Sequence, residues 1–188
     1  PALPGLLILA VALTGLVATL NDRLSERMLA LELARHDLSG IRVCWLALGS
    51  EGRHEQTFST DQDNAILFES DSAPGEARAR LLPFAKAVNA ALDACGFPLC
   101  KGEIMASNPK WCLSLQEWQD TFDKWIYYGA PRDILHSTIF FDFRPLHGDE
   151  SLGTELREYL MKNVKGQNLF LAHMAAATVK NRPPLGFF

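Results

Sequence analysis

The four cysteines of this 188-residue chain, Cys44, Cys95, Cys100 and Cys112, include no CxxC pair, so neither a zinc ribbon nor a disulfide framework is indicated. Reduced, buried thiols in a cytoplasmic protein are the expectation, with Cys95 and Cys100 bridging only in an oxidising setting. An excess of positive charge is missing too. Lys and Arg number 18 against 22 Asp and Glu, a formal charge of −4, which argues against a broad basic surface for nucleic acid and leaves room only for a local basic pocket. His36, His136, His147 and His173 show no zinc or general-base spacing and read as surface or core residues. Repeats and low-complexity tracts are absent. What remains is an ordinary globular composition, 48% hydrophobic and 21% charged, long enough to bury one substantial core or two small ones.

Charge is absent from residues 1–20, which would pass a crude length test for a membrane span. Pro4, Gly5, Thr14 and Gly15 interrupt the stretch, no basic cluster precedes it, and Asn21-Asp22-Arg23 follows directly. No membrane span is therefore expected, and a buried or partner-covered helix fits better. Asn21 is a good N-cap for an amphipathic helix carrying Leu24, Met28, Leu29 and Leu31 to about His36.

Further along, residues 41–48 and 64–68 are short apolar runs bounded by turn residues and read as strands. A loop over 71–75 opens a helix to about Ala94 that Pro83 should kink or split. One short strand is expected around Ile104 and Met105. Ser114 and Glu117 form a capping box. The helix they start carries Trp118 and Trp125, with Trp111 a heptad upstream, a stripe that belongs to a core rather than to a base-stacking platform. Residues 139–143 read as a third strand, 150–164 as a charged amphipathic helix, and 167–180 as a last helix stopped by Pro183-Pro184. The fold class is α/β, or α+β, with few strands and several helices.

The segment from Trp45 to Phe68 carries the chemistry: a strand, a Gly49-Ser50 turn, a polar stretch, then Asp61 and Asp63 entering another strand. Carboxylates two apart in extended backbone project to the same side and can share divalent ions, and hard oxygen ligands suit Mg²⁺. Gly49 and Gly52 permit close approach of backbone to a polyphosphate, Ser50 offers a hydroxyl, and Arg53 can neutralise phosphate charge. Taken singly, each piece is equally readable as a plain turn or a strand cap. Glu55 and Gln56 would order the loop or orient a metal-bound water, His54 reads as a turn residue, and Lys110 as a solvated lysine beside Trp111.

Together and in order, Gly-Ser, about ten residues and Asp-x-Asp resemble the motif of the DNA polymerase β-like nucleotidyltransferase superfamily. Gly49-Ser50-Glu51-Gly52-Arg53-His54-Glu55-Gln56 with Thr60-Asp61-Gln62-Asp63-Asn64-Ala65 resembles the nucleotidyltransferase family found downstream of cyclic-nucleotide-binding and CBS regulatory domains, which is similar to the uridylyltransferases of PII signal proteins. The likeness extends to Met105 through Trp111, to Phe140 through Pro145 with Gly148-Asp149, and to Asn181 through Phe188.

This resemblance implies a small mixed sheet with flanking helices: an amino-terminal helical segment over 1–40, a nucleotidyltransferase core over 41–148, and from 149–188 the start of a truncated carboxy-terminal helical domain for substrate. It also implies a third carboxylate on a neighbouring strand, and Asp142 is the match. Asp142 would serve as metal ligand or general base; the alternative is a structural ion pair with Arg144, which strand alternation puts on the same side. The implied activity moves a nucleoside monophosphate from an NTP, with Mg²⁺ or Mn²⁺, onto a hydroxyl of a protein or small molecule, such as uridylyl or adenylyl transfer to a signalling protein. Asp61, Asp63 and Asp142 would be catalytic and metal-binding, and Gly49, Ser50, Gly52 and Arg53 would hold the phosphates. The competing reading is a catalytically silent nucleotide sensor; an interaction domain with a dead pocket is disfavoured by the carboxylate trio.

Overall fold

The computed structural model describes residues 3–56 and 60–180. Two apolar stretches that alternate inward on both faces dictate the centre of the molecule. β1 (Ile41–Ala47) pairs antiparallel with β2 (Asn64–Ser70), from Ile41 opposite Ser70 to Ala47 opposite Asn64. Side chains of successive strand residues point to opposite faces. Cys44, Leu46, Ala65 and Leu67 accordingly enter one core, and Trp45, Ala47, Ile66 and Phe68 the other. A sheet buried on both sides needs helices on both sides.

The first face is covered by α4 (Leu115–Tyr128), α5 (Pro131–Phe140), α6 (Glu150–Val164) and α7 (Asn168–Lys180). Trp118, Phe122 and Trp125 of α4 meet Phe140 of α5 and Leu152, Leu156 and Leu160 of α6 there. Trp111 stacks on Trp118 with ring centroids 6.3 Å apart, and the Trp118 indole Nε1 donates to the Ile66 carbonyl at 3.0 Å. The tryptophan stripe is core, as its spacing suggests. The opposite face is covered by α1 (Leu3–Leu33) and α3 (Pro74–Ala94), which bury Leu29, Ala77, Leu81, Phe84 and Val88. Two short strands complete the mixed sheet in the order β3-β2-β1-β4: β3 (Cys112–Ser114), parallel to β2, and β4 (Arg144–Gly148), antiparallel to β1. The fold class is the α/β arrangement expected.

Several elements differ from expectation. The amino-terminal stretch and the helix after it are one 31-residue helix, α1. Pro4 falls in its first turn, where no backbone donor is needed. Asn21 is not a cap but a mid-helix residue whose side chain donates to Gln56 Oε1 at 2.9 Å. Ala18, Ser25 and Leu29 face the protein body, while Leu13, Leu16 and Leu20 are exposed. No described helix is long and apolar enough to cross a membrane. Pro83 lies inside a single continuous α3.

Ile104 and Met105 lead into a turn at Ala106 and Ser107 rather than forming a strand, because Asn64 and Asn89 fasten that turn side-on: Asn64 Oδ1 accepts from Ala106 N at 2.8 Å and Asn89 Oδ1 from Ser107 N at 3.1 Å. The third strand expected over 139–143 does not form. Pro131 at the first position of α5 and Asp133 Oδ2, accepting from Ala130 N at 3.0 Å, start a helix that runs through Ile139 and Phe140. The strand lies just beyond, as β4. The proline pair Pro183-Pro184 and the motif over 181–188 lie outside the described residues, as do 57–59.

Trp118 joins the helices of one face to the backbone of the sheet. Its replacement by alanine removes a buried indole and leaves the Ile66 carbonyl without that donor, and the expected loss is about 3–5 kcal/mol by urea unfolding. A loss below about 1 kcal/mol would remove this tryptophan from the centre of the core.

Candidate active site

The carboxyl end of β1 is where the sequence motif gathers. Leu48 N donates to the Asp63 carbonyl at 3.0 Å, prolonging the β1–β2 ladder by one bond, and the chain then turns into the four-residue α2 (Gly49–Gly52). Gly49 sits at φ +52, in the left-handed region that favours glycine. A Cβ there would lie 3.2 Å from Asp63 Oδ2. The Asp63 carboxylate thus rests directly against the turn. Gly52 has a different constraint: a Cβ on it would fall 2.2 Å from the Asp142 carbonyl oxygen. Both glycines serve close approach, though to other parts of this chain.

Asp61 and Asp63 alternate with Gln62 and Asn64, which are buried. The Gln62 amide donates to the carbonyls of Asn89 and Phe97 at 3.0 and 2.8 Å, and Asn89 Nδ2 donates back to Gln62 Oε1 at 2.7 Å and to Asn64 Oδ1 at 3.1 Å. With Gln62 and Asn64 fastened inward, Asp61 and Asp63 are turned to the other side. Burial, with the Asp61 charge adding to it, pushes the Asp63 carboxyl up, while the Cys100 thiol donates to it and partly offsets the rise. Hard oxygen donors carrying unrelieved like charge fit a divalent cation.

Asp142 is not part of that pair. It lies in the turn after α5, and its Oδ2 accepts from Arg53 NH1 at 2.8 Å, with Arg53 Nε held by Glu55 Oε2 at 2.8 Å. The anticipated partner Arg144 instead donates to Asp22 Oδ1 of α1 at 2.9 Å and to the Glu51 carbonyl at 3.2 Å. Residues 139–142 are helix end and turn, where strand alternation does not apply. Among the described residues no group of three or more His, Cys, Asp or Glu side chains is placed to hold a metal. The structure therefore brings Gly49, Ser50, Gly52, Arg53, Asp63 and Asp142 around one turn, with Asp142 tied to Arg53 and Asp61 on the flank of Asp63.

The supports of the site carry no sequence motif. Arg157 of α6 donates from NH1 to the Phe141 carbonyl and from NH2 to the Phe143 carbonyl and lies over the Phe143 ring at 4.0 Å, fixing the turn that carries Asp142. Asp22, Arg144, Asn89 and Cys100 come from four further elements or loops. A lone arginine on a helix or an asparagine amid apolar residues gives no motif; the buried polar position of Asn89 on the inner face of α3 was the one readable signal. Glu55 Oε2 accepts from Arg53 Nε, and Gln56, which is buried, accepts from Asn21. His54 is a turn residue at φ +56, and Lys110 stands exposed beside the buried Trp111.

A mixed, doubly covered sheet with a Gly-Ser turn at one strand end and an Asp-x-Asp pair beside it is the arrangement that the resemblance to nucleotidyltransferases implies. The family described as putative nucleotidyltransferase DUF294 matches residues 8–132, about two thirds of the chain, and the chain belongs to that family. Asp142, Arg144 and β4 lie beyond the matched span. No curated protein and no solved structure matches the chain.

Glu51, at the centre of α2, is buried. Burial first, then the Asp22 carboxylate, pushes its carboxyl from an ordinary 4.5 up to about 8, against the opposing pull of Arg144. The fold binds a proton that the unfolded chain releases, so this contribution to stability is complete below the ordinary value and lost as pH rises through about 8. Glu51→Gln is neutral throughout. In metal-free buffer its Tm should gain on the parent between about pH 4.5 and 8 and hold that gain above; parallel Tm curves across this window would mean that Glu51 is ionised in the fold.

Proposed function

We propose that this chain transfers a nucleoside monophosphate from an NTP, with Mg²⁺ or Mn²⁺, to a hydroxyl on a protein or small molecule. The observation that carries the reading is the Asp63 carboxylate packed against the Gly49 turn, with Arg53 reaching from the end of the same turn. Asp61 and Asp63 would hold the cation, whose part is to stabilise charge on the phosphate oxygens. Gly49, Ser50 and Gly52 would line the triphosphate and Arg53 would pair with it. The acceptor hydroxyl oxygen forms a bond to the α-phosphorus as the bond to the bridging oxygen breaks. Pyrophosphate leaves with that electron pair, and the hydroxyl proton passes to a carboxylate, for which Asp142 is the candidate.

The Arg53–Asp142 pair bears on that role. Its side chains are 38% and 45% exposed, and such a pair contributes roughly 0–1 kcal/mol, so a triphosphate can take the guanidinium and leave the Asp142 carboxylate free for the acceptor. The same pair supports a second reading, a nucleotide sensor in which Asp142 stays with Arg53 and no transfer occurs. The cytoplasmic setting, uridylyl or adenylyl transfer to a signalling protein, cyclic-nucleotide-binding or CBS regulatory domains elsewhere in the full-length chain, and a substrate-binding role for the helices from residue 149 onward belong to this proposal and rest on the family resemblance.

Calorimetry and radiolabel transfer test it together. Asp61→Ala should abolish metal-dependent NTP affinity. Asp142→Asn should leave that affinity within about tenfold, roughly 1.4 kcal/mol, while label transfer falls about a hundredfold or more. Parental affinity in Asp61→Ala would show that the cation is held elsewhere. Tight NTP binding by the parent with no labelled acceptor in host lysate would favour the sensor.

A further inference from the structure

α2 is only four residues long, and the 53–56 stretch after it has no strand partner. Backbone bonds from Gly52, Arg53, His54 and Glu55 to the carbonyls of residues 48–51 close the turn on itself, and contacts from distant elements hold it against the body. Asp22 of α1 supplies two of them: Oδ1 accepts from Arg144 NH2 at 2.9 Å, and Oδ2 lies 3.6 Å from His54 Nδ1. Arg144 NH2 is shared with the Glu51 carbonyl at 3.2 Å, so the orientation that Asp22 gives the guanidinium also fastens the middle of α2. Asn21, the preceding residue, donates to Gln56 Oε1 at 2.9 Å. Contacts from one turn of α1 thus bracket residues 51 to 56. His54 is held at φ +56, in the left-handed region that residues other than glycine rarely adopt. Asp22 and Arg144 side chains are only 14% and 25% exposed, which sets this pair apart from the exposed Arg53–Asp142 pair, since burial leaves less water to screen it.

We propose that Asp22, on the amino-terminal helix, is a positioning residue for the Gly49–Gly52 turn, acting through Arg144 and His54; the proposal rests on the reading of that turn as the triphosphate-binding element. The nucleotide does not need to touch Asp22. Its carboxylate decides where the Glu51 carbonyl and the His54 backbone sit, and through them where Gly52 and Arg53 meet the phosphates. A residue that only docked α1 on the body would make a different prediction: its loss would loosen the whole α1 face and leave the local geometry of the turn to the sheet.

Asp22→Ala, Arg144→Lys and the double variant separate these cases, read by NTP affinity in Mg²⁺, by Tm and by amide hydrogen exchange. Lysine keeps the charge of Arg144 but not the geometry that serves Asp22 and Glu51 at once. Each single variant should weaken Mg²⁺–NTP binding about tenfold, and the double variant should be little worse than either single, because both act through one linkage. Exchange at residues 50–56 should accelerate about tenfold or more, while β1 and β2 amides keep parental rates. Asp22→Ala with parental affinity and parental exchange at 50–56 would overturn the proposal. So would a lowered Tm with exchange rising equally over α1 and the sheet. If the parent binds none of the four NTPs with Mg²⁺ or Mn²⁺, the nucleotidyl-transfer reading fails, and the exchange measurement alone then decides whether Asp22 holds the turn.

Discussion

Everything at the candidate site hangs on the register of Ala47, the last residue of β1. On one side it pairs with Asn64 and on the other with Arg144. The β4 ladder shifts by one residue between Trp45 and Leu46; continued without that bulge from Cys44 opposite Gly148, it would place Pro145, not Arg144, across from Ala47. Since a slip of one residue exchanges the faces of a strand, the bulge decides that a guanidinium rather than a proline ring reaches Asp22 and the Glu51 carbonyl. On the other side the strict β1–β2 ladder decides that Asp63 arrives beside Gly49. The turn, the acidic pair and the arginine come from three stretches of chain and meet because one central strand holds all three.

The electrostatics follow from this crowding. Asp22, Glu51, Asp61 and Asp63 converge on a small region with Arg144 among them, and burial, with the neighbouring carboxylates adding to it, raises two of the carboxyls. Glu51 is pushed up chiefly by burial and then by Asp22, and Asp63 chiefly by burial with Asp61 contributing. A cation beside Asp61 and Asp63 would relieve this charge, and a phosphate would find its counter-charge on Arg53 at the far end of the turn.

Where the sequence was legible, the signal was local. β1 and β2 are apolar runs between turn residues, α4 announces itself through Ser114 and Glu117, and α6 matches its expected limits of 150 and 164. The Gly49, Ser50, Gly52, Arg53, Asp61 and Asp63 set lies within a single stretch between two strands, so its order could be read directly. Legibility ended where an apolar run is short: Ile139, Phe140 and Phe141 satisfy a strand and a helix end equally, and only the cap at Asp133 and the carbonyl clamp of Arg157 settle the matter. Asn21 is a cap by type, yet in α1 it lies mid-helix with its amide engaged by Gln56, 35 positions later. Arg144 and Asp22 are 122 positions apart; no spacing rule links residues at that distance, and their pairing is a property of the assembled sheet.

The edges of the sheet bear on how the chain tolerates being cut. In the whole fold both borders are short: β3 has three residues, and β4 has five, one of them Pro145, which offers no backbone donor. β1, whose residues 44–47 are almost wholly buried, is protected on each side. The family match stops at residue 132, before β4. A fragment ended there would turn the most apolar strand of the protein into a bare border with unsatisfied N–H and C=O groups along it, and would strip α6 from the face beneath. Such a border is a template for joining chains edge to edge, so the limit of recognisable sequence similarity falls inside a physical unit, and a piece trimmed to that limit would be driven toward self-association.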